Sequence, residues 1–204
     1  MTIRKGEPWG EPAELPAEGI LAPADDRAAS RSVELALEHG QPLVPMFMGG
    51  GDLARTMGGG TPGRLHHTHV RATVDLLQVH ADGVDHSAVA HVVARRSWWR
   101  GEVVLAMNAQ FLGAYDVAPR SHPNDGRVDV LRVDPRMGLR ARLQARRRAR
   151  TGTHLPHPQL AATSVKEWTG DFDPPLRLHL DGTRVGDVRH LRITVVPDAL
   201  IVHA

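Results

Sequence analysis

From residue 70 onward, apolar side chains recur at every second position in short runs. The first run alternates with polar residues and comprises Val70, Ala72, Val74 and Leu76. Such alternation gives a strand one buried and one solvated face, so each run predicts a β-strand. The further runs are Ser87–Ala94, Glu102–Ala109, Val128–Val133, Leu160–Lys166, Leu176–Leu180, His190–Val196 and Leu200–His203. Turn sequences such as Asp82-Gly83, Asp125-Gly126, Asp181-Gly182 and Pro197-Asp198 separate the runs, and the whole pattern predicts a β-sandwich over residues 70–204.

Residues 20–69 have a different pattern, in which two apolar runs flank a helix and lead into a glycine-rich loop. A helix is predicted from about Ala28 to His39, with Asp25 or Asp26 as its cap. The apolar runs are Ile20–Ala22 and Pro42–Met48, and the loop Gly49-Gly50-Gly51-Asp52 precedes a short helix over Leu53–Met57. This order is typical of α/β folds, in which ligands bind at strand ends. Residues 1–19 are predicted to form an irregular arm.

Composition limits the kinds of site that the chain can carry. Hydrophobic residues make up 41% of the chain, which is enough for a substantial core. Cysteine is absent, so disulfides and thiolate metal sites are excluded. The polar start of the chain has no signal-peptide pattern, and we expect a soluble, cytoplasmic protein. The formal charge is only +2, but arginines cluster between Arg136 and Arg150 in the one helix predicted within the sandwich.

A series of motifs in the second half resembles a known family. The series begins with Asn108-Ala109-Gln110-Phe111-Leu112-Gly113, Ala118-Pro119 and Asn124-Asp125-Gly126-Arg127-Val128-Asp129, and continues with Gly152-Thr153-His154, Asp181-Gly182-Thr183 and Val196-Pro197-Asp198-Ala199-Leu200. In this order the motifs resemble those of the bacterial lipid kinases in the diacylglycerol kinase and NAD kinase superfamily. The resemblance implies an α+β fold, in which a small, truncated, nucleotide-binding-like α/β part precedes a β-sandwich.

The resemblance also assigns a nucleotide site to the first part of the chain. Met46 to Thr56 is similar to the family's phosphate-binding stretch, and Pro23 to Arg27 takes the place of its first glycine loop. Glycines allow backbone N–H groups to approach phosphate oxygens closely. The implied nucleotide-binding residues are Asp25, Gly49, Gly50, Gly51, Asp52, Arg55 and Thr56, and the implied cofactors are ATP and Mg²⁺. Without the resemblance, the glycines would be read as a flexible turn.

Catalysis by this family needs carboxylates, and the sequence keeps only some of them. Asp181 lies on the loop that is expected to close over the phosphates. Two residues later, the family has its glutamate base. This chain has Thr183 there, and a threonine cannot accept a proton as a carboxylate does. Asp187 is the candidate to replace that base. Asp125 is a candidate metal ligand, although its position before Gly126 equally suits a hairpin turn.

Two further groups of residues have both a functional and a structural interpretation. Trp98 and Trp99 lie between arginines and resemble a membrane-facing or base-stacking cluster, or else they pack on the sandwich. Arg146, Arg147 and Arg148 could bind a lipid surface, or simply form a solvated helix face. A third group, His66, His67 and His69 with Asp75, is more typical of a polar strand edge than of a metal site.

The sequence therefore predicts a lipid-kinase-like protein that transfers a phosphoryl group from ATP to a diacylglycerol-like lipid alcohol. The alternative is a catalytically degenerate member that binds a phosphate or lipid headgroup. Expected partners are a nucleotide, a lipid-like alcohol and a peripheral membrane surface. A homodimer is compatible with the sequence, and nucleic-acid binding by the arginine helix is the weaker alternative.

Overall fold

The computed structural model describes residues 10–16, 18–59 and 69–204. Its helices are α1 (Asp26–Glu38), α2 (Gly51–Thr56) and α3 (Leu139–Ala149). Its strands are β1 (Glu11–Ala13), β2 (Met46–Phe47), β3 (His69–Ala81), β4 (Val84–Ala88), β5 (His91–Arg95), β6 (Val103–Met107), β7 (Phe111–Leu112), β8 (Tyr115–Asp116), β9 (Val128–Val133), β10 (Leu160–Val165), β11 (Glu167–Leu180) and β12 (Thr183–His203). The predicted fold, a small α/β part followed by a β-rich sandwich, is confirmed.

Nearly all the strands belong to one hydrogen-bonded system. Its main order is β1-β3-β12-β11-β5-β6-β9-β10, with β2 added in parallel to β12 and β4 paired with β3. A separate hairpin joins β7 to β8. The three longest strands, β3, β12 and β11, lie next to one another in this order. Antiparallel sheets commonly bury one face and leave the other solvated, which explains why the period-two pattern dominates the sequence.

Two tight hairpins form where the sequence has Asp-Gly. Asp82 and Gly83 have φ values of 46° and 91°, and Asp181 and Gly182 have 46° and 80°. Two successive residues with positive φ define a turn whose twist matches that of the flanking strands. Glycine adopts this region without steric cost and aspartate tolerates it, so the turn prediction is confirmed at both places.

Helix α1 forms where its pattern predicts. The Asp25 carboxylate caps it by accepting a hydrogen bond from the Ala28 N–H at 2.9 Å. Ala29 and Val33 on its buried face share a core with Leu53 of α2 and with Leu200 of β12. Because helices and strands share this core, the α/β part is packed onto the sandwich. The division of the chain at residue 69 stays a prediction.

Several strand boundaries differ from the predicted ones. The Ser87–Ala94 run is not one strand, because Val89 and Ala90 leave the ladder between β4 and β5. Conversely, the two runs at the end of the chain form one strand, β12, with a register shift between Val196 and Leu200. Pro197-Asp198 is therefore an irregularity within a strand, not a turn. Of the predicted apolar run Pro42–Met48, only β2 is a strand in the structure. Of the run Ile20–Ala22, only Leu21 pairs, in a single bridge to Met46.

Candidate functional site

The Asp181 carboxylate is buried at the junction of three elements. One oxygen, Oδ1, accepts hydrogen bonds from the Ala90 and His91 N–H groups at 3.0 and 2.8 Å. The other, Oδ2, accepts the Val89 N–H at 2.7 Å and the Ser30 hydroxyl of α1. These bonds are the reason that the strand breaks at Val89, because the backbone there turns its N–H groups toward a carboxylate instead of a neighbouring strand.

A second buried carboxylate, that of Asp26, lies at the start of α2. Its Oδ2 accepts the Asp52 N–H at 2.5 Å, and its Oδ1 accepts the Leu53 N–H at 3.1 Å. Burial raises the pKa of Asp26 to about 6, and the negative charges of Asp181 and Asp52 add to this effect. The Asp26 side chain thus occupies the position at the start of α2 where the resemblance implies a nucleotide phosphate.

His91 lies between the carboxylates of Asp52 and Asp181. Its side chain is 6% exposed, its Nε2 is 3.1 Å from Asp52 Oδ2, and its Nδ1 is 3.8 Å from Asp181 Oδ1. Burial alone would lower the pKa of His91, but the hydrogen bond to Asp52 and the nearby carboxylate charges raise it above its ordinary value. When it is protonated, the His91 ring is an internal counter-ion for the buried acids.

One group of side chains in the described part of the chain brings three metal-ligating atoms together. The ligand atoms of Asp26, Asp52 and His91 lie within 4.8 Å of one another. Mg²⁺ prefers six oxygen ligands, whereas two carboxylates and an imidazole nitrogen suit Mn²⁺ or Zn²⁺ better. The Asp26 oxygens also already accept backbone N–H groups. The three ligands therefore fit Mg²⁺ poorly and fit Mn²⁺ or Zn²⁺, which bind imidazole nitrogen as well as oxygen, better.

Helix α2 is fixed to the segment that follows β6. The Thr56 hydroxyl accepts the Gln110 N–H at 3.0 Å. The Arg55 guanidinium donates to the Gly113 carbonyl at 2.7 Å and lies 3.9 Å from the Phe111 ring centroid. The two oxygens of Asp52 accept the Gly113 N–H at 2.9 and 3.0 Å. The two motifs that carry the resemblance, Asp52–Thr56 and Asn108–Gly113, are therefore in direct contact.

A cavity of about 390 Å³ opens beside this contact, under α3 and the β7–β8 hairpin. Its lining is mostly apolar and includes Leu112, Gly113 and His154, together with Trp98, Trp99, Val103, Leu105, Tyr115, Val117, Leu131, Val133, Met137, Arg142, Ala145, Arg146, Ala149 and Leu160. Gly113 belongs both to this lining and to the hydrogen bonds of Asp52. A molecule in the cavity would therefore lie next to the acidic cluster.

The Trp98-Trp99 loop and helix α3 form part of the cavity wall together. Buried Arg142 fixes the loop by donating to the carbonyls of Trp98 and Gly101 at 3.3 and 2.5 Å. Arg146 donates to the Tyr115 hydroxyl at 2.5 Å and lies 5.2 Å from the Trp99 ring centroid. Trp98 and Trp99 remain 39% and 40% exposed. The tryptophans are thus held in place and still partly exposed.

The other predicted site residues lie apart from the cluster. Asp25 is exposed and serves as the α1 cap. Thr183 and Asp187 are exposed on β12, and Asp187 pairs with Arg184 at 2.9 Å. Asp125 accepts the Arg127 N–H at 2.9 Å within its turn, and burial raises its pKa to about 6. It does not belong to the metal-capable group found among the described residues.

The remaining predicted residues lie around the start of α2 and on α3. Gly49, Gly50 and Gly51 lead into α2, and Arg147 and Arg148 are exposed on α3. His66 and His67 lie outside the described residues. No helix in the described ranges is long and apolar enough to cross a membrane.

Sequence reasoning missed three residues of the cluster: Ser30, Asp26 as a buried acid, and His91. Asp26 was considered only as a helix cap and as a lost glycine. His91 lay within an apparently regular strand, and no local pattern marked it. The break in the strand, which would have revealed His91, results from contacts with Asp181, which lies far away along the chain.

Comparisons with known proteins agree with the motifs. The model of the YegS C-terminal NAD kinase beta sandwich-like domain matches residues 76–204. Two crystal structures of a candidate diacylglycerol kinase from Bacillus anthracis str. Sterne align with TM-scores of 0.63 and 0.61. Each alignment covers 90% of this chain and 76% of the other, at 12% identity, so it supports the fold alone. No protein with a curated description matches the sequence.

Proposed function

Since the chain belongs to the family of the YegS C-terminal NAD kinase beta sandwich-like domain, as its motifs predict, we propose that it binds a lipid. The aliphatic part of the lipid occupies the cavity under α3, and its polar end lies near Asp52 and Arg55. The proposal extends the binding-module alternative of the sequence analysis, which named a phosphate or a lipid headgroup as the ligand.

The cavity carries this proposal. Its volume of about 390 Å³ lies within the range of small-molecule sites, and its walls are mostly aliphatic and aromatic. An open apolar cavity of this size favours an apolar occupant, because transfer of methylene groups from water into such walls is favourable by about 0.8 kcal/mol each. Helix α3 and the Trp98-Trp99 loop form an amphipathic, cationic wall through which a membrane lipid could enter.

Titration with monoacylated and diacylated lipid alcohols below their aggregation concentrations tests the proposal. We expect saturable binding that Ala145→Trp weakens at least about tenfold, because Ala145 lines the cavity and an indole would fill it. Gln144→Trp is the matched control, since Gln144 is its exposed neighbour on α3 and does not line the cavity. Equal binding by both variants would contradict the proposal.

Phosphoryl transfer from ATP to the bound lipid alcohol is the second candidate function. It is favoured by the Asp26, Asp52 and His91 group, which can hold a divalent cation beside the cavity. ATP would supply the transferred group, and the metal would neutralise its charge. Two observations weigh against it: Asp26 already binds the N–H groups at the start of α2, and exposed Thr183 replaces the family's glutamate.

Incubation with labelled ATP, a lipid alcohol that binds, and either Mg²⁺ or Mn²⁺ separates the two functions. If lipid binds but no label is transferred and no nucleotide-dependent thermal shift occurs, phosphoryl transfer is refuted and lipid binding remains as the function. Label transfer that Asp26→Asn abolishes while lipid affinity is retained would establish the kinase activity instead. Mn²⁺ is included because the cluster contains an imidazole.

A further inference from the structure

His154 is a polar residue in the mostly apolar cavity wall. It lies between α3 and β10, is only 3% exposed, and lines the cavity with Val117 and Leu160. Neither ring nitrogen has a hydrogen-bond partner of acceptable geometry. Burial lowers the pKa of His154, whereas the backbone of Val117 and the charge of the Asp116 carboxylate favour the protonated ring to a smaller extent. One carbonyl can serve only one nitrogen, so at least one nitrogen stays unsatisfied.

The other charged side chains of the lining are engaged elsewhere. Arg142 donates to backbone carbonyls, including that of Met137 at 2.9 Å, and Arg146 donates to Tyr115. A buried polar atom without a partner costs stability, and native proteins rarely leave one unsatisfied. A neutral imidazole has one N–H donor and one acceptor nitrogen, so a hydroxyl group, which can both donate and accept, is its natural partner.

We infer that His154 selects a lipid whose aliphatic chain carries a hydroxyl group inside the cavity. The inference rests on the proposed lipid-binding function and specifies the class of its ligand: a chain that is apolar along most of its length, with one hydrogen-bonding oxygen away from its head. Such a ligand satisfies His154 and leaves the apolar walls in contact with methylene groups. A plain chain of equal length would leave the imidazole unpaired.

The experiment compares stearate with a positional series of monohydroxystearates, by calorimetric titration of the full-length chain. We expect one hydroxyl position to bind about tenfold more tightly than stearate, the gain of one buried hydrogen bond. His154→Leu should remove this preference and retain stearate binding. His154→Gln, which keeps a donor and an acceptor, should retain part of the preference and covers the case in which the leucine variant fails to fold.

His157→Leu is the matched control, because His157 lies three residues further along the same loop and outside the cavity lining. It should keep the preference of the unsubstituted protein. Equal affinities for stearate and every hydroxystearate would overturn the role of His154 and leave the lipid-binding function standing. Binding of none of these chains and of none of the lipid alcohols named above would overturn both. A preference that survives His154→Leu would also overturn the inference, since another group would then recognise the hydroxyl.

Discussion

At the scale of single residues, buried aspartates link elements that are distant in sequence. Asp181 binds the backbone at Val89–His91, and Asp26 binds the start of α2. Asp75, which is fully buried in β3, accepts the Asp198 N–H at 2.9 Å and the Gly126 N–H at 2.7 Å. In each case a carboxylate satisfies backbone donors that an irregular strand segment or the first turn of a helix leaves unpaired.

Substitution of Asp181 tests this role. Asp181→Asn keeps the shape and tolerates the positive φ, but the amide NH₂ would face a backbone donor where an oxygen now accepts. We expect the free energy of unfolding to fall by about 3 kcal/mol, as measured by denaturant titration. Asp187→Asn is the control, because Asp187 is exposed and pairs only with exposed Arg184 among the contacts described. Its effect should stay within about 0.5 kcal/mol; equal losses would refute the linking role.

Asp26 predicts a pH dependence of stability. Its pKa is about 6 in the folded protein against 3.8 for the free side chain, so the folded state binds more protons between those values. The contribution of Asp26 to the free energy of unfolding is therefore complete below about pH 4 and lost as the pH rises through about 6. The loss is on the order of 2 to 3 kcal/mol.

Unfolding curves for the original protein and Asp26→Asn, measured in chelator from pH 4 to 8, isolate this effect. The free energy of unfolding of the original protein minus that of Asp26→Asn should fall as the pH rises from about 4 through about 6. Other acids such as Asp125 titrate in both proteins, so their contributions cancel in this difference. Parallel pH profiles would show that Asp26 keeps an ordinary pKa.

At the scale of elements, the start of α2 depends on one glycine. Gly51 has a φ of 99°, and a Cβ there would lie 2.5 Å from Asp26 Oδ1. Gly51→Ala should therefore destabilise the fold by at least about 2 kcal/mol, since backbone strain and displacement of a buried carboxylate add together. Gly49→Ala is the matched control, because nothing lies within 4 Å of its added Cβ. Thermal unfolding of the two variants measures the difference, and equal melting temperatures would contradict it.

The strands show how far local sequence reasoning extends. Val128–Val133 was predicted with its observed bounds because it is a short β-favouring run that follows a turn sequence, and in the structure it pairs on both sides. The N-terminal half of β11 was missed, since Pro174 and Pro175 interrupt the pattern and the ladder shifts register between Asp171 and Leu176. A proline removes a ladder donor and usually marks a strand end, so its accommodation at an irregularity could not be foreseen.

At the scale of the whole molecule, aromatic, leucine and arginine side chains are exposed on α3 and the neighbouring loop. Leu139 and Leu143 of α3 are exposed, as are Trp98 and Trp99, and α3 contains no acidic residue. An apolar surface with arginines fits an anionic membrane, because Trp side chains favour the interface and each arginine near it contributes about 1 kcal/mol.

Vesicle sedimentation tests this surface. The double variant Arg147→Glu, Arg148→Glu should bind vesicles of phosphatidylserine and phosphatidylcholine at least about tenfold more weakly, and added salt should reduce the binding of the original protein. The control is Arg189→Glu, Arg192→Glu, which makes the same charge change at exposed positions of β12. Equal losses in both double variants would indicate a response to net charge alone. Binding to RNA but not to vesicles would contradict the membrane role.

The sequence by itself determined the fold class, the Asp82-Gly83 and Asp181-Gly182 hairpins and the family, because each depends on neighbouring residues or on motif order along the chain. Only the tertiary structure decided that Asp26, Asp52, His91 and Asp181 form one cluster beside an apolar cavity. The hydrogen bonds of Asp181 join it to Ser30 and to Val89–His91. Such distant pairings leave no periodic or spacing signal in the sequence. They arise because buried polar groups must find partners wherever the folded chain brings them.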